Sequence, residues 1–152
     1  ENLLWRELRS AHESSKQKLG GEPLKTRLDI APDWYAIGAS SGDPDKLQGF
    51  HAASGDILII IDEAAGVAEP AFEAIEGMMT SEKARMLMIG NPTSDSGSFR
   101  ESHHSWDYSN KIHISVFDTP NFVNNGIRTL EDLKNVNLDN VEIVSPWLVS
   151  PR

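Results

Sequence analysis

The most constraining feature of the sequence is an uninterrupted aliphatic run followed at once by two acids, ILIIIDEAAG at residues 57–66. A run without polar positions is typical of a parallel strand that is buried on both faces. Burial of the strand does not explain why Asp62 and Glu63 stand side by side where the chain leaves the sheet. The sequence therefore predicts a central strand with two carboxylates at its carboxyl end.

Strand and helix patterns alternate after this run. A helix opened by Pro70 is predicted over residues 69–79, followed by a strand at 85–89, a helix at 98–104 and a strand at 111–117. Such alternation is typical of an α/β fold whose parallel strands are joined by right-handed crossovers. We therefore expect a mostly parallel sheet flanked by helices.

The two ends of the chain carry weaker patterns. Residues 2–18 have the apolar spacing of an amphipathic helix, and residues 26–30 and 34–39 are typical of a hairpin or two neighbouring strands. The segment 123–152 is less regular and predicts a tail or a linker, with one short helix at 129–134.

Length and composition bound the class of protein. The 152 residues fit a single domain, and the absence of cysteine excludes a disulfide framework and a thiolate-bound zinc. No apolar run approaches the roughly 20 residues that span a bilayer, and the N-terminal segment lacks the pattern of a secretory signal. The net charge of -9 would repel phosphate backbones, so any contact with nucleic acid requires a local basic patch, and the sequence has no evident one.

Polar residues follow two strands that are predicted to be neighbours. Asp62 and Glu63 follow the first strand, and Asn91 and Thr93 follow the second. Ligands of open α/β sheets bind beyond the carboxyl ends of the strands, so these four side chains are expected to share one crevice. In nucleotide hydrolysis one carboxylate helps to hold Mg²⁺ and the next orients the attacking water, while neutral groups sense the terminal phosphate.

A simpler interpretation of the same residues involves no chemistry. Asp62 would cap the segment that follows it, Glu63 would be a solvated charge, and Asn91-Pro92 would form an ordinary turn. From the residues alone, both interpretations stay open.

Three stretches in a fixed order resemble the ATPase region of the large terminase subunit of tailed bacteriophages. They are LQGFHA at 47–52, ILIIIDEAAGV at 57–67 and MLMIGNPT at 86–93, followed by Gly97 and Phe99. The resemblance implies a partial P-loop NTPase fold of the ASCE type, with a core at about 34–122.

The resemblance also implies roles and partners. Asp62 would correspond to the Walker B aspartate that binds Mg²⁺ and Glu63 to the catalytic glutamate, and Asn91 and Thr93 would lie in the motif that couples the γ-phosphate state to movement. The cofactors implied are ATP and Mg²⁺. The partners implied are double-stranded DNA, the portal protein and the small terminase subunit, in the cytoplasm of a bacterial host, for a phage or prophage protein.

The sequence lacks a P-loop, G-x-x-x-x-G-K-[ST], whose backbone N–H groups and lysine surround the phosphates. The nearest candidate, GGEPLKT at residues 20–26, has no glycine before Lys25 and carries Glu22 where phosphate charge would lie. We therefore expect part of an ATPase domain from a longer protein, with negligible ATP turnover alone. The strand edges left without the P-loop strand predict self-association.

Other functions stay open. A helicase would have a polar or basic residue such as His or Asp after Ala64, where this sequence has Ala65. A non-catalytic assembly module or a small-molecule binder with an acidic crevice are further alternatives. His51 could line the crevice or pack beneath it, and Arg100 could stabilise charge in a neighbouring subunit or lie on the surface.

Overall fold

The computed structural model describes residues 2–40, 42, 47, 50, 55–105 and 110–151, and the chain divides into two compact units, Glu1–Ser105 and Trp106–Arg152. The structure confirms a mixture of helix and sheet with a small parallel sheet. The finer P-loop NTPase fold and the single-domain organisation stay predictions. None of the helices in the described ranges is long and apolar enough to cross a membrane.

The first unit begins with a helix that rests on an antiparallel sheet. Helix α1 spans Asn2–Ser14, and strands β1 (Glu22–Pro23), β2 (Arg27–Ala31) and β3 (Trp34–Ile37) pair in the order β1-β2-β3. The predicted hairpin is confirmed. The helix ends earlier than residue 18, because the Ser14 hydroxyl donates to the Ser10 carbonyl at 2.7 Å and so competes with the helical backbone.

A two-stranded parallel sheet is the second sheet of this unit. Strand β4 (Leu58–Ile61) pairs in parallel with β5 (Arg85–Met88), and helix α2 (Glu69–Met78) lies between them in the chain. Two further hydrogen bonds extend the ladder: Arg85 N donates to Ile57 O at 2.8 Å, and Ile89 N donates to Ile61 O at 2.9 Å. The predicted strand, helix and strand are therefore confirmed over residues 57–89.

Only one face of this sheet is covered among the described residues. The inward side chains of β4 and β5 join a core with helix α2 and with helix α3 (Ser98–His104): Ile59, Ile61, Met86, Met88, Phe72, Ile75, Met78 and Phe99. Leu58, Ile60, Leu87 and Ile89 point the other way and are exposed. The prediction that β4 is buried on both faces is wrong, because both helices pack on the same face.

The second unit contains only short helical elements among its described residues. They are the 3₁₀ turns Val116–Asp118 and Leu138–Asn140, helix α4 (Pro120–Val123) and helix α5 (Leu130–Asn135), which confirms the helix predicted at 129–134.

The strand predicted at 111–117 is wrong. Residues 110–115 belong to no strand, and the 3₁₀ turn then begins. Ser115 and Asp118 start this turn, since Asp118 Oδ2 accepts from Ser115 N at 2.9 Å and Ser115 Oγ accepts from Phe117 N at 3.3 Å. This reciprocal cap bends the backbone where a strand would have continued.

One buried amide organises the irregular part of the second unit. The Asn121 side chain is fully buried. Its Oδ1 accepts from Val144 N at 3.1 Å and Ser145 N at 2.9 Å, and its Nδ2 donates to Ser145 O at 2.9 Å and Val149 O at 3.1 Å. Asn121 therefore satisfies backbone groups that a neighbouring strand would otherwise satisfy.

Asn125 makes the same kind of connection next to it. Its Nδ2 donates to Asn121 O at 2.7 Å and Glu142 O at 2.8 Å, and its Oδ1 accepts from Glu142 N at 2.9 Å. Two amide side chains thus hold the segment 142–149 in place without regular secondary structure.

Replacing Asn121 with alanine should destabilise the second unit strongly. Buried donors and acceptors left without partners cost about 1–3 kcal/mol each, so we expect a loss of at least about 3 kcal/mol in unfolding free energy. Urea denaturation measures the unfolding free energy. Hydrogen exchange at the Val144 and Ser145 amides, measured separately in the absence of urea, reports the local effect. Asn137→Ala is the matched control, because Asn137 is exposed and caps only Asp139 N. Equal losses from both variants would contradict the organising role of Asn121.

Candidate functional site

The two adjacent acids lie in an exposed turn directly after β4. Asp62 and Glu63 precede a 3₁₀ turn at Ala64–Gly66, which leads towards helix α2. One carboxylate oxygen of Asp62, Oδ1, accepts a hydrogen bond from Glu63 N at 3.0 Å. This bond joins two neighbouring residues and reaches no N–H inside the 3₁₀ turn, whose N-cap residue, Glu63, makes no side-chain capping hydrogen bond.

Glu63 has a backbone conformation that is unfavourable for its residue type. Its φ of 52° and ψ of 42° place it in the left-handed region, a positive φ that only Asp33 shares among the non-glycine residues the structure describes. This conformation costs about 1–2 kcal/mol for an ordinary L-residue. The hydrogen bonds from Gly66 N to Glu63 O and from Ala64 N to Ile89 O, both 2.9 Å, hold it in place.

The end of β5 lies against this turn because Gly90 has no side chain. A Cβ at Gly90 would lie 3.0 Å from Ala64 N and 3.4 Å from Ala65 N. A larger residue would therefore push the two strand ends apart. The close approach brings the beginning of the loop 90–97 beside the turn that carries Asp62 and Glu63.

Asn91 and Thr93 lie in this loop and are exposed. Thr93 N donates to Asn91 O at 2.8 Å, so the loop begins with a tight turn. Both predicted pairs of polar residues thus follow the carboxyl ends of two hydrogen-bonded parallel strands. Their individual roles stay predictions.

Glu69 was missed by the sequence analysis. This first residue of helix α2 receives two hydrogen bonds from Ser98, the first residue of helix α3: Ser98 N donates to Oε1 at 2.8 Å and Ser98 Oγ to Oε2 at 2.6 Å. These bonds, from the hydroxyl first and then the backbone N–H, hold the pKa of Glu69 below the ordinary glutamate value. An acid next to Pro70 indicates the start of a helix. The sequence does not indicate that this acid binds Ser98, which lies 29 residues away.

The acids of the turn form an incomplete set of metal ligands. No cluster of three or more His, Asp or Glu side chains that could hold a metal occurs in the described ranges. Carboxylate oxygens are nevertheless the ligands that Mg²⁺ prefers, and Mg²⁺ commonly binds one or two carboxylates together with water and substrate phosphates. Binding of Mg²⁺ by Asp62 stays a prediction.

Of the two remaining candidate residues, the structure describes Arg100 but not His51. Arg100 is exposed, and its Nη1 donates to Glu101 Oε1 at 2.8 Å, as expected of a surface arginine. His51 lies outside the described residues, as do Gln48, Gly49 and Ala52 of the LQGFHA stretch.

Comparison with known proteins supports the resemblance that the motifs predict. Over 63 residues the chain is 44% identical to the "Probable terminase, large subunit" of Enterobacteria phage P7. The resemblance to a phage terminase large subunit is confirmed. The matched stretch is 41% of this chain and 12% of the phage P7 protein, so the chain spans a small part of that terminase relative. No protein-family model and no solved structure matches the chain.

Replacing Glu63 with asparagine should stabilise this terminase-like chain. Asparagine tolerates the left-handed region better than glutamate, so we expect an increase of about 1 kcal/mol in unfolding free energy, measured by chemical denaturation. The matched control is Glu73→Asn on the exposed side of helix α2, which should lower stability by a few tenths of a kcal/mol because asparagine is a weaker helix former. If Glu63→Asn instead lowers the unfolding free energy, the glutamate side chain itself stabilises the fold.

Proposed function

We propose that this chain supplies the magnesium-binding and water-orienting part of the ATP-hydrolysing motor of a phage or prophage terminase large subunit. One observation carries the proposal: in a terminase-like chain, the ends of two parallel strands bring the Asp62-Glu63 turn beside the loop with Asn91 and Thr93. That edge of a parallel sheet is where nucleotides bind in open α/β folds.

Each residue has a role that its chemistry supports. Asp62 would hold Mg²⁺ through the carboxylate, and the metal would neutralise charge on the phosphates. Glu63 would orient and polarise the attacking water from its exposed position in the turn. Asn91 and Thr93 carry no charge, so they can approach the terminal phosphate without repelling it.

The unfavourable backbone of Glu63 also supports this assignment. Residues held in sparsely populated conformations cluster at functional sites, where the surrounding structure keeps them in place. Neighbouring backbone hydrogen bonds fix Glu63 in this way.

The proposed parent protein must contain more than this chain. The sequence has no P-loop pattern, so the phosphate-binding backbone would come from another segment, and this chain would hydrolyse ATP negligibly. The partners of the parent would be double-stranded DNA, the portal protein and the small terminase subunit in the bacterial host cytoplasm. The net charge of -9 means that other parts of the parent would make most contacts with DNA.

ATP turnover by a version extended to include the P-loop segment tests the proposal. We expect Mg²⁺-dependent hydrolysis by the extended protein and a loss of at least about a hundredfold in kcat for Glu63→Gln, because a glutamine cannot polarise water as a carboxylate does. Phosphate release is the readout, with circular dichroism to confirm folding.

The exposed Glu73 provides the matched control for this experiment. Glu73→Gln makes the same chemical change on helix α2 and should leave kcat unchanged. A folded extended protein without turnover would favour a non-catalytic assembly module. Turnover that is equal in the wild type and in both variants would refute the role of Glu63. The local hydrogen bond that Glu63 N donates to Asp62 Oδ1 is the observation in favour of that second candidate, because it gives the Asp62 carboxylate a structural use.

Self-association is a further part of the proposal. Among the described residues, β4 and β5 pair only with each other, and Leu58, Ile60, Leu87 and Ile89 form an exposed apolar row on the uncovered face of the sheet. Parallel sheets are normally covered on both faces, so an uncovered one favours association. A second copy of the chain carries the same row and can cover it, and self-matching patches are the basis of two-fold dimers.

Sedimentation equilibrium should therefore detect a dimer whose affinity rises with salt, because salt screens the repulsion between two chains of charge -9. Leu58→Lys should abolish association by placing a charge in the apolar row. Leu130→Lys is the matched control, since both leucines are 65% exposed and Leu130 lies in the second unit. A monomer at all concentrations, or equal effects of the two variants, would refute this association.

A further inference from the structure

The loop 90–97 is held at both ends by atoms that lie outside it. At its beginning, Gly90 packs against the Ala64 and Ala65 backbone, and at its end Glu69 holds Ser98. We infer that Glu69 is a positioning residue that fixes the far end of the loop carrying Asn91 and Thr93. This inference deepens the proposed function and rests on it for its effect on catalysis.

Both oxygens of the Glu69 carboxylate accept hydrogen bonds from the same residue, Ser98. Ser98 N donates to Oε1 at 2.8 Å and Ser98 Oγ donates to Oε2 at 2.6 Å. Two parallel hydrogen bonds to a charged acceptor fix orientation as well as distance. Helices α2 and α3 are therefore connected at their first residues, although these lie 29 positions apart in the chain.

Gly97 makes room for this connection. Its φ is 94°, and a Cβ at this position would lie 3.2 Å from Glu69 Oε1. Any side chain here would strain the backbone and crowd the carboxylate. The last residue of the loop thus has the conformation and the size that the Glu69–Ser98 pair requires.

The connection also fixes the loop relative to the acidic turn. Phe99, next to Ser98, is buried in the same core cluster as Ala64 and Ile61, at the end of β4. Ser98 therefore lies between a charged anchor at Glu69 and an apolar anchor at Phe99. A loop that is held at both ends has fewer conformations available than the same loop held at one end. This restriction would keep Asn91 and Thr93 in position for the reaction.

The charge of Glu69 adds to the effect of its geometry. The carboxylate accepts from the first backbone N–H of helix α3, where the partial positive charge of the helix lies. The hydrogen bond from the Ser98 hydroxyl, and after it the bond from Ser98 N, hold the pKa of Glu69 below its ordinary value. Because the folded state favours the charged form, the contribution of Glu69 is complete at neutral pH and is lost as the pH falls through the lowered pKa.

A helix cap without influence on the loop is the competing interpretation of Glu69. A cap would stabilise helix α3 and leave Asn91 and Thr93 unaffected. Two measurements separate this role from positioning, one on the chain itself and one on the extended protein.

The first measurement uses NMR on the chain with Glu69→Ala, Glu69→Gln and the matched control Glu73→Ala. We expect Glu69→Ala to speed amide exchange and shift the signals of the loop from Asn91 to Ser98, while Glu69→Gln, which keeps an acceptor for Ser98 N, has a smaller effect. Glu73→Ala should leave these signals unchanged. Changes confined to Ser98 and helix α3, with Asn91 and Thr93 unaffected, would overturn the inference.

The second measurement is ATP turnover by the extended protein. Glu69→Ala should lower kcat about tenfold with little change in KM, because it removes positioning of the reacting groups and not binding of the nucleotide. Ser98→Ala should lower kcat less, and the double variant should resemble Glu69→Ala alone, since the two side chains act together. A lower melting temperature with unchanged kcat per folded molecule would mean that Glu69 is only a cap.

The two measurements distinguish failure of the inference from failure of the proposed function. If the extended wild-type protein has no turnover, the proposed function fails and the NMR result alone decides whether Glu69 holds the loop. If the wild type turns over ATP and Glu69→Ala does too at the same rate, the proposed function stands and the positioning role is overturned.

Discussion

The parallel pairing of β4 with β5 is the interaction on which the candidate site and the helices around it depend. Its last hydrogen bonds, from Ile89 N to Ile61 O and from Ala64 N to Ile89 O, pass from the regular ladder into the turn that carries the acids. The strands, the turn and the loop after β5 are therefore parts of one continuous hydrogen-bonded network. Helices α2 and α3 stabilise this network from one side by packing on Ile61 and Ala64.

The sequence was most informative where a local pattern determines the structure. The aliphatic run at 57–61 and the helical spacing after Pro70 each need only a few adjacent residues, and both elements occur as predicted. The carboxyl ends of parallel strands meet at the same edge, so the relation between the Asp62-Glu63 turn and Asn91 could also be predicted.

Features that depend on distant partners could not be predicted from the sequence. Apolar residues at 58 and 60 predict burial, but whether a second layer covers them depends on what packs there. Residues 111–117 have the composition of a strand, yet the cap between Ser115 and Asp118 decides otherwise. Glu69 is similar, because nothing near it in the chain indicates Ser98.

The amide contacts in the second unit have a consequence for chemical ageing. Asn125 precedes Gly126, and its Nδ2 faces two carbonyl oxygens, those of Asn121 and Glu142. Hydrolysis of this amide would exchange one nitrogen for an oxygen and set a carboxylate against both carbonyls. The two hydrogen bonds that Asn125 Nδ2 donates would be lost, so ageing of this side chain would weaken the attachment of Glu142, while Asn121 would still hold residues 144–149.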